Sequence, residues 1–257
     1  MYPIDLSGKQ GIIFGVANDR SIAWAIARLL GQAGARLALT YQNDRLKDRV
    51  VRLAETLEGA ITLPCDAADD AQIVEVFQQT ARHFGEISFL VHSIAYANRE
   101  DLAGKFSETN REGFRLALEI SAYTLLPLLK HAAPLMTSGG SVVTMTFHAS
   151  QRVYPGYNIM GTAKAALEHE VRQLAAEFGD RNIRVNAISA GPLDTLAARG
   201  IHGFLDMKRV HAEKAPLQRN ISADEVAKTA LFLCSDLSSG ITGSVIPVDA
   251  GYHIMAV

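Results

Sequence analysis

Short apolar runs without polar alternation recur along this chain, separated by amphipathic stretches of helical period. The runs are GIIFGV, ARLALTY, AITLPCD, EISFLVHSI, SVVTMTF, NIRVNAIS and GSVIPVDAGY. Between them lie SIAWAIARLLGQAGA, NDRLKDRVVRLAETLEG, AADDAQIVEVFQQTARHFG, one long helix around REGFRLALEISAYTLLPLLKHAAPLM, a helix carrying YNIMGTAK, and SADEVAKTALFLCSD, which Ser222 and Glu225 open as a capping box. Strands lacking polar alternation are buried on both faces, as in a parallel sheet covered by helices on each side. The chain therefore reads as α/β, a Rossmann-like doubly wound parallel sheet. No linker, repeat or low-complexity tract interrupts its 257 residues, so 1–257 reads as a single domain.

Charge narrows the partners. With 25 Lys and Arg against 27 Asp and Glu, the formal charge is -2 and no block of one sign stands out. That argues against nucleic acid and against a membrane surface, and favours a small or carrier-borne substrate. The two cysteines, Cys65 and Cys234, lie in apolar segments with no metal-like spacing and are expected to be buried, reduced thiols. No apolar run approaches the ~18 residues needed to span a bilayer, and the N-terminal run is too short for a signal peptide; a cytoplasmic protein is the expectation.

In a doubly wound sheet, ligands sit beyond the carboxyl ends of the strands. After the first strand, Gly15 to Ser21 and Ile22 lack the usual glycine spacing, but the following helix offers free amides to a pyrophosphate. After the second, Gln42 can bond an uncharged ribose, which points to NADH; Arg45 and Lys47 keep NADPH open. Asp66 and Ala67 end the third strand, where they meet an adenine or Asp66 caps a helix. Ser93, Ile94 and Ala95 end the fourth, and Gly191-Pro192 breaks the sixth before Thr195, itself either a ligand contact or an N-cap. Residues 195–212 read as a lid over an apolar substrate, or as a surface helix against another subunit.

Tyr157 and Lys164 are seven residues apart, close to two helical turns and about 10 Å along the axis, so both leave one face. A nearby ammonium favours the phenolate and sharpens the phenol as a donor. Gly161, between them, reads as a slot for a flat ribose; a surface Tyr and a solvated Lys are the plain alternative.

Taken together, the loop Gly15-x5-Ser21-Ile22-Ala23, TYQND at 40–44, REGF at 111–114, YNIMGTAK, RVNAISAGP at 184–192 and FLCSDLSSGITG at 232–243 resemble the short-chain dehydrogenase/reductases, and within them the bacterial enoyl-acyl-carrier-protein reductases. The resemblance implies reduction of a trans-2-enoyl thioester on acyl carrier protein by NADH, rather than NADPH. Tyr157 then bonds the thioester carbonyl and Lys164 the nicotinamide ribose. It places Gly15, Ser21, Ile22, Gln42, Asp66, Ala67, Ser93, Ile94, Ala95, Gly191, Leu193 and Thr195 on the cofactor, and Ala97, Phe147, Met160, Ile201, Phe204 and Met207 on the acyl chain. It also implies a homotetramer, with helices at 109–137 and 157–179 at the interfaces.

This chain departs from the family's pattern at Phe147, often a tyrosine; at Ala95, often glycine; and at Asp194, often arginine. In the lid, His202, Leu205 and Asp206 replace common basic residues, leaving Arg199, Lys208 and Arg209 for carrier docking. Two other readings stand: a ketoreductase, which expects a serine where counting back thirteen residues from Tyr157 finds Thr144, and a silent nucleotide-binding module.

Overall fold

The computed structural model describes residues 4–256, with the Arg199 side chain outside the described part. Seven strands form one sheet: β1 (Gln10–Phe14), β2 (Arg36–Tyr41), β3 (Ile61–Pro64), β4 (Phe89–His92), β5 (Gly140–Thr146), β6 (Ile183–Ala190) and β7 (Val245–Val248). Their order is β3-β2-β1-β4-β5-β6-β7 and every pair is parallel. All seven coincide with the apolar runs.

Neighbouring residues of one strand enter different cores, which is what burial on both faces requires. Ile13 and Val143 pack with α1 (Ile22–Gln32) and α9 (Ala223–Cys234), whereas Ile12 and Val142 pack with α3 (Asp70–Phe84), α6 (Leu125–Ala132) and α7 (Asn158–Phe178). The helices α2 (Asp44–Ala54), α4 (Arg99–Leu102), α5 (Arg111–Leu118) and α8 (Phe204–Lys214) make up the rest of the α-helices among the described residues. Ser222 and Glu225 form the expected capping box on α9, and both cysteines are buried thiols pushed up to about 12 by burial.

The expected single helix over 109–137 is instead α5, a π-helical turn at Glu119–Tyr123, α6 and a short 3-10 turn. Pro127 supplies the reason. It has no N–H for an interior helical bond, and the extra residue of the π turn starts α6 at Leu125, so Pro127 falls in a first turn where no such bond is needed.

The direction of strand order reverses between β1 and β4, and the chain leaving β1 crosses the end of β4 in close contact. Gly15 makes that crossing with φ +98°; a Cβ there would stand 2.0 Å from the Ser93 carbonyl oxygen. The crevice at this reversal is where such sheets hold ligands.

Candidate active site

Tyr157 is the residue before α7, not inside it, and its carbonyl accepts from the Gly161 amide at 3.1 Å. Its ring meets Phe147 edge-on, centroids 5.0 Å apart, and Phe147 in turn lies 4.7 Å from the Tyr154 ring. Lys164 faces the same cleft but is almost wholly enclosed, at 4% exposure, with Nζ donating to the Met145 carbonyl at 2.8 Å. Burial pushes this ammonium down to about 8, with the nearby Glu168 carboxylate opposing the shift.

The expectation that Lys164 acidifies the phenol is not met. Burial holds the Tyr157 hydroxyl well above its ordinary range, so it remains protonated and acts as a hydrogen-bond donor. Gly161 is likewise no ribose slot. A Cβ there would lie 2.8 Å from the Ala149 carbonyl oxygen, so the glycine admits the 3-10 turn His148–Ser150 against the helix.

A cleft of about 790 Å³ at the carboxyl ends of the strands brings together the residues that the sequence assigned to catalysis, to the cofactor and to the acyl chain. From the first loop come Gly15, Ser21 and Ile22. Ser21 does not cap α1 with its side chain: Oγ accepts from the Ala17 and Asn18 amides at 3.1 and 3.0 Å, folding the loop back and leaving the helix's first-turn amides toward the cleft. Gln42 and Asp66 are joined at 3.3 Å beside Ala67. Asp66 is not the helix cap; Asp69 caps α3, accepting from the Ala71 and Gln72 amides. Arg45 and Lys47 are exposed on α2 and do not line the cleft.

Ser93, Ile94, Ala95 and Ala97 form the wall after β4, and Gly191, Leu193 and Thr195 the wall after β6. The Thr195 hydroxyl accepts from the Ala198 amide at 3.2 Å, though the N-cap of the 3-10 turn Ala197–Gly200 is Leu196, the next residue. Phe147, Met160, Ile201, Phe204 and Met207 give the cleft an apolar end beside Tyr157. Sequence reasoning missed Tyr96, Leu116, Ile120, Met145 and Thr146, which also line it. Leu116 and Ile120 are four residues apart on one apolar stripe, and that spacing was the available signal.

One departure from the family's pattern acquires a physical explanation. Asp194 pairs with Lys208, which supplies the missing counter-charge. Lys208 pairs with Asp194, and Arg209, which stays exposed, pairs with Glu213 and Asp206; Arg199 has its side chain outside the described residues. Thr144, where a ketoreductase expects serine, is fully buried and bonded to His92 Nδ1 at 2.8 Å, away from Tyr157's cleft.

The donor set fits a dinucleotide: helix amides for a pyrophosphate, a neutral amide and carboxylate pair for ribose hydroxyls, and a buried ammonium deeper in the cleft. Among the described residues, no group of three or more His, Cys, Asp or Glu is placed to hold a metal. Fold and cleft together define a dinucleotide-dependent reductase of the short-chain type.

Comparison with known proteins gives the narrower assignment. The family described as enoyl-(acyl carrier protein) reductase matches residues 15–253. The enoyl-[acyl-carrier-protein] reductase [NADH] FabI of Nostoc is 49% identical, over 98% of this chain and 99% of its own. A crystal structure of the Bacillus cereus enoyl-acyl carrier protein reductase with NADP+ and an indole naphthyridinone superposes with a TM-score of 0.96 at 48% identity, covering 98% of this chain and 99% of that one. The Anaplasma phagocytophilum reductase in complex with NAD gives 0.95 at 42% identity, covering 98% and 96%. The chain belongs to the enoyl-acyl-carrier-protein reductase family.

Proposed function

We propose that this protein reduces the trans-2 double bond of enoyl thioesters borne by acyl carrier protein, with NADH, in fatty acid biosynthesis. The observation that carries the reading is the meeting of a protonated Tyr157 phenol, the buried Lys164 ammonium and an apolar pocket end in one cleft with a dinucleotide donor set. The bound nicotinamide supplies a hydride to the β-carbon of the substrate.

Charge then gathers on the thioester oxygen, Tyr157 donates a hydrogen bond to it, and water or the Tyr157 hydroxyl finally gives the α-carbon its proton. A donor already placed where charge develops is worth a few kcal/mol, and its loss costs about a hundredfold or more in rate. Lys164, tethered to the Met145 carbonyl, holds the ribose hydroxyls and so fixes the nicotinamide's position. Gln42, tied to the Asp66 carboxylate, suits a ribose without a phosphate, which favours NADH. Phe147, Met160, Ile201, Phe204 and Met207 take the acyl chain, with residues 195–212 as the lid. Homotetrameric assembly and a cytoplasmic setting complete the proposal; no helix among the described residues is long and apolar enough to cross a membrane.

Loss of nicotinamide absorbance with a trans-2-enoyl thioester, set beside a 3-oxoacyl thioester of equal length, tests this reading. The expected result is reduction of the enoyl substrate with NADH, a fall of about a hundredfold or more in Tyr157→Phe with NADH binding retained, and loss of both activity and binding in Lys164→Ala. Turnover of the 3-oxo compound alone would transfer the protein to the ketoreductases.

A further inference from the structure

At the carboxyl end of β5, consecutive residues hold α7 through different atoms. The Met145 carbonyl accepts from Lys164 Nζ at 2.8 Å, and the Thr146 hydroxyl donates to Glu168 Oε1 at 2.8 Å. Lys164 and Glu168 are four residues apart, one above the other on the enclosed face of α7, at 4% and 5% exposure. A carboxylate this deep is costly unless a charge opposes it. The hydroxyl of Thr146 orients the group but carries no charge, so compensation falls to the Lys164 ammonium.

We propose that Glu168 is a positioning residue for the reductase, its carboxylate pinned by Thr146 so that Lys164 stays charged and aimed into the cleft. This rests on the reading of Lys164 as the ribose-binding residue.

The groups facing this pair support it. Burial draws the Lys164 ammonium down to about 8, and Glu168 is the group that pushes it back up. His92, from β4, is held neutral by burial, lowered to about 3, and so adds no competing cation. His148, in the turn after β5, is also lowered by burial, though Glu168 acts to raise it. Tyr157 stays protonated. Glu168 is therefore the source of negative charge beside Lys164 among the described residues. Without it, the ammonium would lose its proton at lower pH.

Glu168→Gln keeps an acceptor for the Thr146 hydroxyl and removes the charge, which separates electrostatics from packing. The expected result is a KM for NADH raised about tenfold with a smaller change in kcat, and an alkaline limb of kcat/KM moved to lower pH by about one, with the thermal midpoint close to the parent's. Thr146→Val should move both in the same direction and Thr146→Ser should restore them; this pair carries the test if Glu168→Gln does not fold. A Glu168→Gln enzyme with the parent's pH profile and KM, while Lys164→Ala loses NADH, overturns the role of Glu168 and leaves that of Lys164 standing. An unaffected Lys164→Ala removes both.

Discussion

A methyl group at position 161 would press on the Ala149 carbonyl oxygen at 2.8 Å, and neither backbone has room to yield cheaply. The turn that holds Ala149 follows Phe147, whose ring sets the edge of Tyr157. Gly161→Ala should therefore cost about 1–3 kcal/mol of stability by overpacking, seen in denaturant unfolding, and should lower kcat by displacing Tyr157. A variant as stable and active as the parent would show that the turn relaxes freely. Tyr157 and Lys164 were legible less from their spacing, which also fits a surface pair, than from the motifs around them, and both line one cleft. What holds them was not. Glu168 stands in the polar-looking run LEHE, where nothing in the sequence separates a buried carboxylate from the solvated residues around it. The phenol's resistance to ionisation was hidden too, since it follows from enclosure rather than from a neighbour in sequence.

The strands were legible at the level of elements because burial on both faces removes polar alternation, and a continuous apolar run survives any detail of register. The long helix was not. Its apolar stripe continues unbroken through the π turn at Glu119–Tyr123, and only the hydrogen-bond ladder registers the extra residue. That turn directs Ser121 at the loop after β4. Its Oγ accepts from the Tyr96 amide at 2.9 Å and donates to the Tyr96 carbonyl at 3.0 Å, fixing the loop by both backbone groups. The same loop carries Ser93, Ile94, Ala95 and Ala97 along the cleft. Ser121→Ala leaves two backbone groups without their partner at a cost of about 1–3 kcal/mol. Isothermal titration should show NADH bound about tenfold more weakly, the equivalent of ~1.4 kcal/mol. Unchanged affinity would mean that the loop is held by packing alone.

At the scale of the molecule, twenty separate positions read from the sequence converge on one cleft because a parallel sheet delivers the ends of all its strands to one edge. Beneath that edge lies a polar contact no motif announced. His92 is fully buried at the end of β4 and joins it to β5 and to the chain between the π turn and α6. Thr124 donates its hydroxyl to the Ile120 carbonyl at 2.8 Å, so it accepts from His92 Nε2 at 2.9 Å, and His92 Nδ1 accepts from Thr144. This is a neutral imidazole with both nitrogens satisfied, and burial followed by the Lys164 charge lowers it from 6.5 to about 3. The unfolded chain takes up that proton near 6.5, and the folded protein only near 3. Folding is therefore favoured in full above 6.5, and the advantage declines as pH falls from there toward the folded value. His148 and His211, also lowered by burial, add to the slope with the same sign. Glu225, lowered to about 2 from 4.5 by its Arg219 partner, contributes only at lower pH, whereas Glu170, raised by burial to about 7, pulls the other way within this window and is outnumbered by the three histidines. Unfolding free energy measured from 6.5 down to about pH 5 should fall in the parent. In His92→Gln, which keeps a donor and an acceptor but cannot take up the proton, the fall should be shallower, whatever the variant's stability at neutral pH. A slope equal to the parent's would mean that His92 titrates in the folded protein as it does in the unfolded chain.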